Sequence, residues 1–127
     1  MKIIHNKAFW KALEVLVAGS QVIIDRPKGS AHPRFPSLIY SLDYGYLKGT
    51  TAMDGGGIDI WRGSSSQPTV DAIICTVDLM KRDSEIKILI GCTPEEMRQA
   101  YEFHNQGEVM KGILIMRRSK EIISPSL

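Results

Sequence analysis

The chain lacks any apolar run long enough to span a bilayer. Its first ten residues, MKIIHNKAFW, also lack the extended apolar core of a secretion signal. A cytoplasmic location with no membrane partner is the resulting expectation. Cysteine is scarce. Cys75 and Cys92 are the two, each inside an apolar run (DAIICTV and IKILIGC) with no close second thiol and no His/Cys cluster. This spacing argues against a zinc site or redox pair and for small buried thiols in a reducing compartment. Excess charge of one sign is equally limited. A net +2 over 127 residues is too little to argue for nucleic acid, so no nucleic-acid partner is expected. The basic cluster of Arg117, Arg118 and Lys120 reads as a solvated tail. The three histidines, His5, His32 and His104, are too dispersed to suggest a ligand set, and His104 on a helix face reads as packed. No internal repeat or interdomain linker is visible, so residues 1–127 read as a single domain.

What is present suffices for a core: 43% of residues are apolar and 24% charged. NKAFWKALEVLVAG has helical period, with Phe9, Leu13, Leu16 and Val17 on one face, Asn6 placed to cap its start and Gly19 its end. SQVIID reads as a strand stopped by Pro27. RPKGSAHPRFPS, with three prolines, is a loop. LIYSLDYGY returns to extended structure, and GIDIW alternates as a strand. TVDAIICTVDLM and EIKILIG follow as neighbouring strands with KRDS as the turn between them. Thr93, Pro94 and Glu96 spell a capping box, opening a helix that turns Met97, Ala100 and Tyr101 inward and ends at Gly107. KGILIMR is a last strand before a frayed SPSL tail. The sum is an α+β chain, a mostly antiparallel sheet or small β-barrel with a helix near each end.

Polar residues concentrate at strand ends and in loops. Asp25 follows VII, with Lys28 and Arg34 in the loop after it. Tyr44 and Tyr46 flank Gly45, and Asp54 and Asp59 bracket three glycines. Asp83, Glu85 and Lys87 share the RDSEIK hairpin. Each also has an ordinary reading: a tight turn for Asp54 and Asp59, solvated turn residues for Asp83 and Glu85, solvent-facing cations for Lys28 and Arg34, and half-buried strand aromatics for the tyrosines. Gathered at one mouth, the same groups suit metal-assisted phosphoryl transfer. Carboxylates hold a hard divalent ion, cations hold phosphate oxygens, and phenols donate to those oxygens.

The order of these pieces resembles the soluble, magnesium-dependent inorganic pyrophosphatases. VIIDRPKGS…HPR, then YSLDYGYLKGTTAMDGGGIDIW, then DSEIK and a late helix follow that family's succession over roughly residues 21–106. The resemblance implies an OB-like barrel, a Mg²⁺ (or Mn²⁺) cofactor, hydrolysis of pyrophosphate or another phosphoanhydride, and assembly into homo-oligomers, with which an exposed GILIM edge is compatible. It implies metal ligation by Asp54, Asp59, Asp83 and Glu85, and a metal-side carboxylate at Asp25. Phosphate binding would fall to Arg34, Tyr44 and Lys87, with Lys28 beside them; catalysis would rest on Asp25, Asp54, Asp59 and Tyr44. The chain also departs from the family. Gly56 replaces the middle aspartate of D-x-D-x-x-D, which helps activate the attacking water. The segment from Arg34 to Tyr40 is too short to bring a further phosphate-binding arginine. A Tyr-Lys pair on the last helix has no counterpart in EFHNQ, leaving His104 or Asn105 to serve. A catalytically impaired relative that binds a phosphate-bearing ligand or a protein partner is therefore the alternative.

Overall fold

Asn6 opens the first helix, α1 (Lys7–Ala18): its side chain accepts hydrogen bonds from the amides of Ala8 and Phe9 at 2.7 and 3.2 Å, satisfying donors that a helix start leaves orphaned. Gly19 caps its end. The structure, a computed structural model, describes residues 6–52 and 54–117. His5, Arg118, Lys120 and the expected SPSL tail lie outside the described residues. After α1 come β1 (Gln21–Arg26), β2 (Asp43–Lys48), β3 (Ile58–Arg62), β4 (Val70–Asp78), β5 (Asp83–Ile90), α2 (Pro94–Phe103) and β6 (Met110–Met116). No helix of the described residues is long and apolar enough to cross a membrane.

The strands form one sheet in the order β1-β2-β3-β5-β4-β6, antiparallel throughout except for the parallel β3–β5 pair. Period-2 alternation sends side chains to two apolar clusters. On one face Tyr40, Leu42, Tyr44, Trp61, Ala72, Ile74 and Leu89 pack with Met97, Ala100 and Phe103 of α2. Leu47, Ile60, Ile73, Ile88 and Ile90 on the other pack with Trp10, Leu13 and Val17 of α1. The α1 stripe is thus anchored by Trp10, 3% exposed, and not by Phe9, which is 40% exposed. Likewise Phe103, and not Tyr101, turns inward from α2. The Thr93–Glu96 capping box forms in both directions. That helix stops at Phe103 with His104 as its cap, earlier than Gly107, because His104 and Asn105 are engaged elsewhere.

The expected barrel is not closed. Among the described residues no ladder joins β1 to β6, which are the two edges of the sheet. A physical reason is visible at β6. The Asn105 side chain donates to the Gly112 carbonyl and accepts from the Gly112 amide, both at 3.1 Å, so the outward backbone there is already paired. Helix α1 packs against β1 at the other end of the sheet order.

One backbone contact admits no side chain. At Gly45 a Cβ would lie 1.8 Å from the Ile23 carbonyl oxygen and 2.8 Å from Ile24 Cα, where β1 and β2 close up beside the irregular register between Ile24 and Arg26. The neighbours are backbone and cannot swing aside. We expect Gly45→Ala to destabilise the fold by at least about 3 kcal/mol, read as a drop in the urea midpoint, because even one methyl forces the two strands apart. An unchanged midpoint would show that β1 is free to shift.

Candidate functional site

The parallel register of β3 and β5 builds the centre of the site. Ile60 is opposite Ile88, so Asp59 and Lys87, one step back on each strand, fall side by side on the face that carries Tyr44 and Trp61. Tyr44 reaches the same point diagonally from β2, where Tyr46 is the direct partner of Asp59. Glu85 is two residues before Lys87 and so shares its face. The outcome is a compact ion cluster. The Lys87 ammonium donates to Asp59 Oδ2 at 2.7 Å and to Glu85 Oε1 at 2.8 Å, and the Tyr44 hydroxyl donates to the same Asp59 oxygen at 2.8 Å.

Only 6% of the Lys87 side chain is exposed, against 28% for Asp59. Burial works against the lysine charge, but the acidic groups of Tyr44 and Asp59 and the hydrogen bonds to Asp59 and Glu85 outweigh it and hold its pKa above the ordinary value. Burial, reinforced by Asp59, drives the Tyr44 phenol the same way. At neutral pH the pair is thus an ammonium and a neutral phenol, both hydrogen-bond donors. Arg26 adds a second cation: it donates to the Tyr40 hydroxyl and lies over the Tyr40 and Tyr44 rings at 5.5 and 6.0 Å.

These groups floor a cavity of about 760 Å³. Its walls are the segment from Arg26 to Tyr40, the turn between β4 and β5, and the connection from Phe103 to Met110. Asp25, Arg34, Tyr44, Asp54, Asp59, Asp83, Glu85 and Lys87, spread over more than sixty residues of chain, all line it. Lys28 does not. Its amide is bound instead by Asp43 Oδ1 at 2.8 Å and its residue is exposed, so the expectation that it joins the site is corrected. Asp83 and Glu85 are strand residues, not turn residues, since Asp83 already pairs with Asp78 across the ladder. The turn precedes them and is held by buried Asp78, whose Oδ1 accepts from the amides of Met80 and Lys81 at 3.0 Å.

Asp54 forms the tight turn expected of it and also lies at the cavity. Its Oδ1 accepts from the Gly56 amide at 2.9 Å, a local turn that Gly55 completes with φ 86°, and the residue also faces the cavity. Seven carboxylates line the cavity against four Lys or Arg side chains. All-oxygen donors and a negative surplus suit a hard divalent cation. Among the described residues, though, no three His, Cys, Asp or Glu side chains are gathered closely enough to form a ready cage, and Asp59 and Glu85 are both bridged by Lys87.

Sequence reasoning missed Arg26 and Tyr40, although Arg26 precedes Pro27 at the end of an apolar strand and Tyr40 begins the YSLDYGY segment. It placed His104 as packed, and the structure shows how. Trp61 Nε1 donates to His104 Nε2 at 3.0 Å, and the other ring nitrogen lies 3.4 Å from Met110 Sδ. The indole is a donor only, so Nε2 must be unprotonated. Burial, then the charge of Lys87, lowers the His104 pKa from 6.5 to about 3. Of the two thiols expected to be buried, Cys92 is and Cys75 is half-buried; burial raises the pKa of both, taking Cys92 to about 12.

Two measurements test this arrangement. The unfolded chain protonates His104 near pH 6.5 and the folded chain only near 3. The stability it confers is therefore complete above 6.5 and is lost as the pH falls toward 3, with a slope approaching about 1.4 kcal/mol per pH unit. His104→Gln, which can still accept from Trp61, should flatten the decline between pH 6.5 and 5 in thermal melts; equal slopes would contradict the neutral assignment. Lys87→Met leaves Asp59 and Glu85 without their counter-ion and should cost ~3 kcal/mol, at the low end for a buried pair because Asp59 is partly solvated; a loss below about 1 kcal/mol in chemical denaturation would show the cluster to be solvent-screened.

No protein-family model matches the chain, and no curated protein matches it at a significant level.

Proposed function

We propose that the protein is a divalent-cation-dependent hydrolase of phosphoanhydrides, of the inorganic pyrophosphatase kind, converting diphosphate and water to two phosphates. The observation that supports this is the gathering of Asp25, Asp54, Asp59, Asp83 and Glu85 with Arg34, Tyr44 and Lys87 around one cavity, in the chain order that the resemblance implies. In this reading the open sheet is a counterpart of that family's OB-like barrel. Asp54, Asp59, Asp83 and Glu85 would hold Mg²⁺ or Mn²⁺, which when bound neutralises phosphate charge and acidifies a coordinated water. Lys87 spends two of its three ammonium hydrogens on Asp59 and Glu85 and donates the third to a phosphate oxygen from a fixed position, while the single Tyr44 proton, given to Asp59, would turn to phosphate once a cation takes that carboxylate. Arg34, exposed at the rim, clamps the outer phosphate. Asp25, also at the rim, orders the attacking water.

Gly56 favours the second reading, a relative that binds a phosphate-bearing ligand with little or no turnover, because it supplies no carboxylate where the family's water-activating aspartate stands. The same position offers a test. A Cβ on Gly56 would meet nothing closer than Asp54 Oδ1 at 3.4 Å, and its φ is not in the left-handed region, so a side chain fits. Phosphate release from pyrophosphate should be slow in the natural chain with Mg²⁺. It should fall at least about tenfold in Asp59→Asn and rise at least about tenfold in Gly56→Asp, because parts of a metal site act as a unit. Release by neither the natural chain nor Gly56→Asp, with calorimetric binding of pyrophosphate retained, would leave the binding module as the function. No release and no binding would remove both readings.

A further inference from the structure

The cavity is far larger than a diphosphate, and its lining is not all charged: Phe35, Leu38, Met80, Phe103 and Val109 face it too. At about 760 Å³ it has the size of a site for a drug-sized organic molecule. One wall is an aromatic shelf. His32 packs against Phe35 with ring centroids 5.2 Å apart and stacks on Tyr40 at 6.1 Å with planes 11° apart, and Tyr40 touches Tyr44 at 5.1 Å. This ladder of rings leads from Phe35, 51% exposed, down to the phenol that donates to Asp59. Across the cavity Met80, 63% exposed, projects from the turn between β4 and β5.

Neither jaw is a loose loop. His32 Nδ1 accepts from the amides of Arg34 and Phe35 at 3.0 and 3.3 Å. The strip is tied down further by His32 amide to Leu38 carbonyl at 2.9 Å, Leu38 amide to Phe35 carbonyl at 2.9 Å, and Tyr40 amide to Ser30 carbonyl at 2.9 Å. The opposite turn is fixed by Asp78, as described. An exposed phenylalanine and an exposed methionine, both held by polar scaffolding beside a charged floor, offer a flat group an aromatic face and a polarisable thioether.

Resting on the phosphoanhydride reading, we propose that the physiological substrate is a nucleoside polyphosphate, whose base enters between Phe35 and Met80 while its phosphates reach Tyr44 and Lys87. Three ring-to-ring steps, Phe35 to His32 to Tyr40 to Tyr44, connect the shelf to the floor, a path that a ribose and a short phosphate chain can follow. Arg34, on the same pinned strip as Phe35, lines the same cavity, and its guanidinium suits the phosphates of such a ligand. Burial and the neighbouring charges of Arg26, Lys81 and Arg34 keep His32 neutral, as a stacking ring beneath Phe35 should be.

The test compares ATP with inorganic tripolyphosphate in the presence of Mg²⁺, by calorimetry on the whole chain. The two share a triphosphate and differ by the nucleoside. ATP should bind at least about tenfold more tightly, the scale of one base–aromatic stack, and Phe35→Ala should remove that preference while leaving tripolyphosphate binding unchanged. Met80→Ala should act the same way. Both side chains are solvent-facing, so neither change threatens folding. Equal affinity for the two ligands, or a Phe35→Ala effect of equal size on both, would overturn the shelf and leave the phosphate site standing. Tight ATP binding with no phosphate released would keep the shelf and remove the hydrolase. Binding of neither ligand would overturn both.

Discussion

The arrangement of this site turns on one ammonium group held out of water. Lys87 joins carboxylates from two different strands, and Tyr44 adds a third strand to the same Asp59 oxygen. A lone lysine in that position would shed its proton or destabilise the fold. With its partners it keeps the charge and cross-links β2, β3 and β5 on the face beneath the cavity. The cluster also sets the limit on what the cavity can hold. A cation that needs Asp59 or Glu85 has to compete with an ion already bonded to both, so the carboxylates not bound to Lys87, namely Asp25, Asp54, Asp78, Asp83 and Glu108, carry the surplus negative charge.

Much of the architecture was legible because local rules and the global fold agree. The Asn6 cap, the Thr93–Glu96 box, the alternation in IDIW and the apolar run DAIICTV each state their element without reference to the rest of the chain. What could not be read was anything set by pairing across distance. Asp59 and Lys87 meet only because β3 and β5 run parallel, a pairing that no spacing in either strand encodes. Tyr44 and Asp59 were both named from the sequence, but their hydrogen bond was not, since the diagonal contact depends on strand register. Trp10 displaced Phe9 as the α1 anchor because packing, and not the helical period alone, decides which of two neighbouring aromatics is covered. Closure into a barrel failed for a similar reason: it requires two free edges, and Asn105 had taken part of one.

At the glycine run of residues 55–57, a turn and a cavity wall share one side chain. Asp54 closes its own turn through one oxygen and lines the cavity as well. A turn aspartate is fixed in direction by the bond it makes to the backbone, and a fixed carboxylate suits a ligand site better than a mobile one. The short connection that carries it would otherwise be an unremarkable link between β2 and β3.

Asn105 bears a consequence of its own. By offering one donor and one acceptor to Gly112, it imitates the next strand of the sheet and so denies that place to any foreign strand. The imitation requires an amide. Were it hydrolysed with age to aspartate, the arm that donates to the Gly112 carbonyl would become a second acceptor pointing at it. That repulsion would unseat the plug and uncover a hydrophobic edge, making chemical ageing at a single residue a route from a solitary sheet to a stacked one.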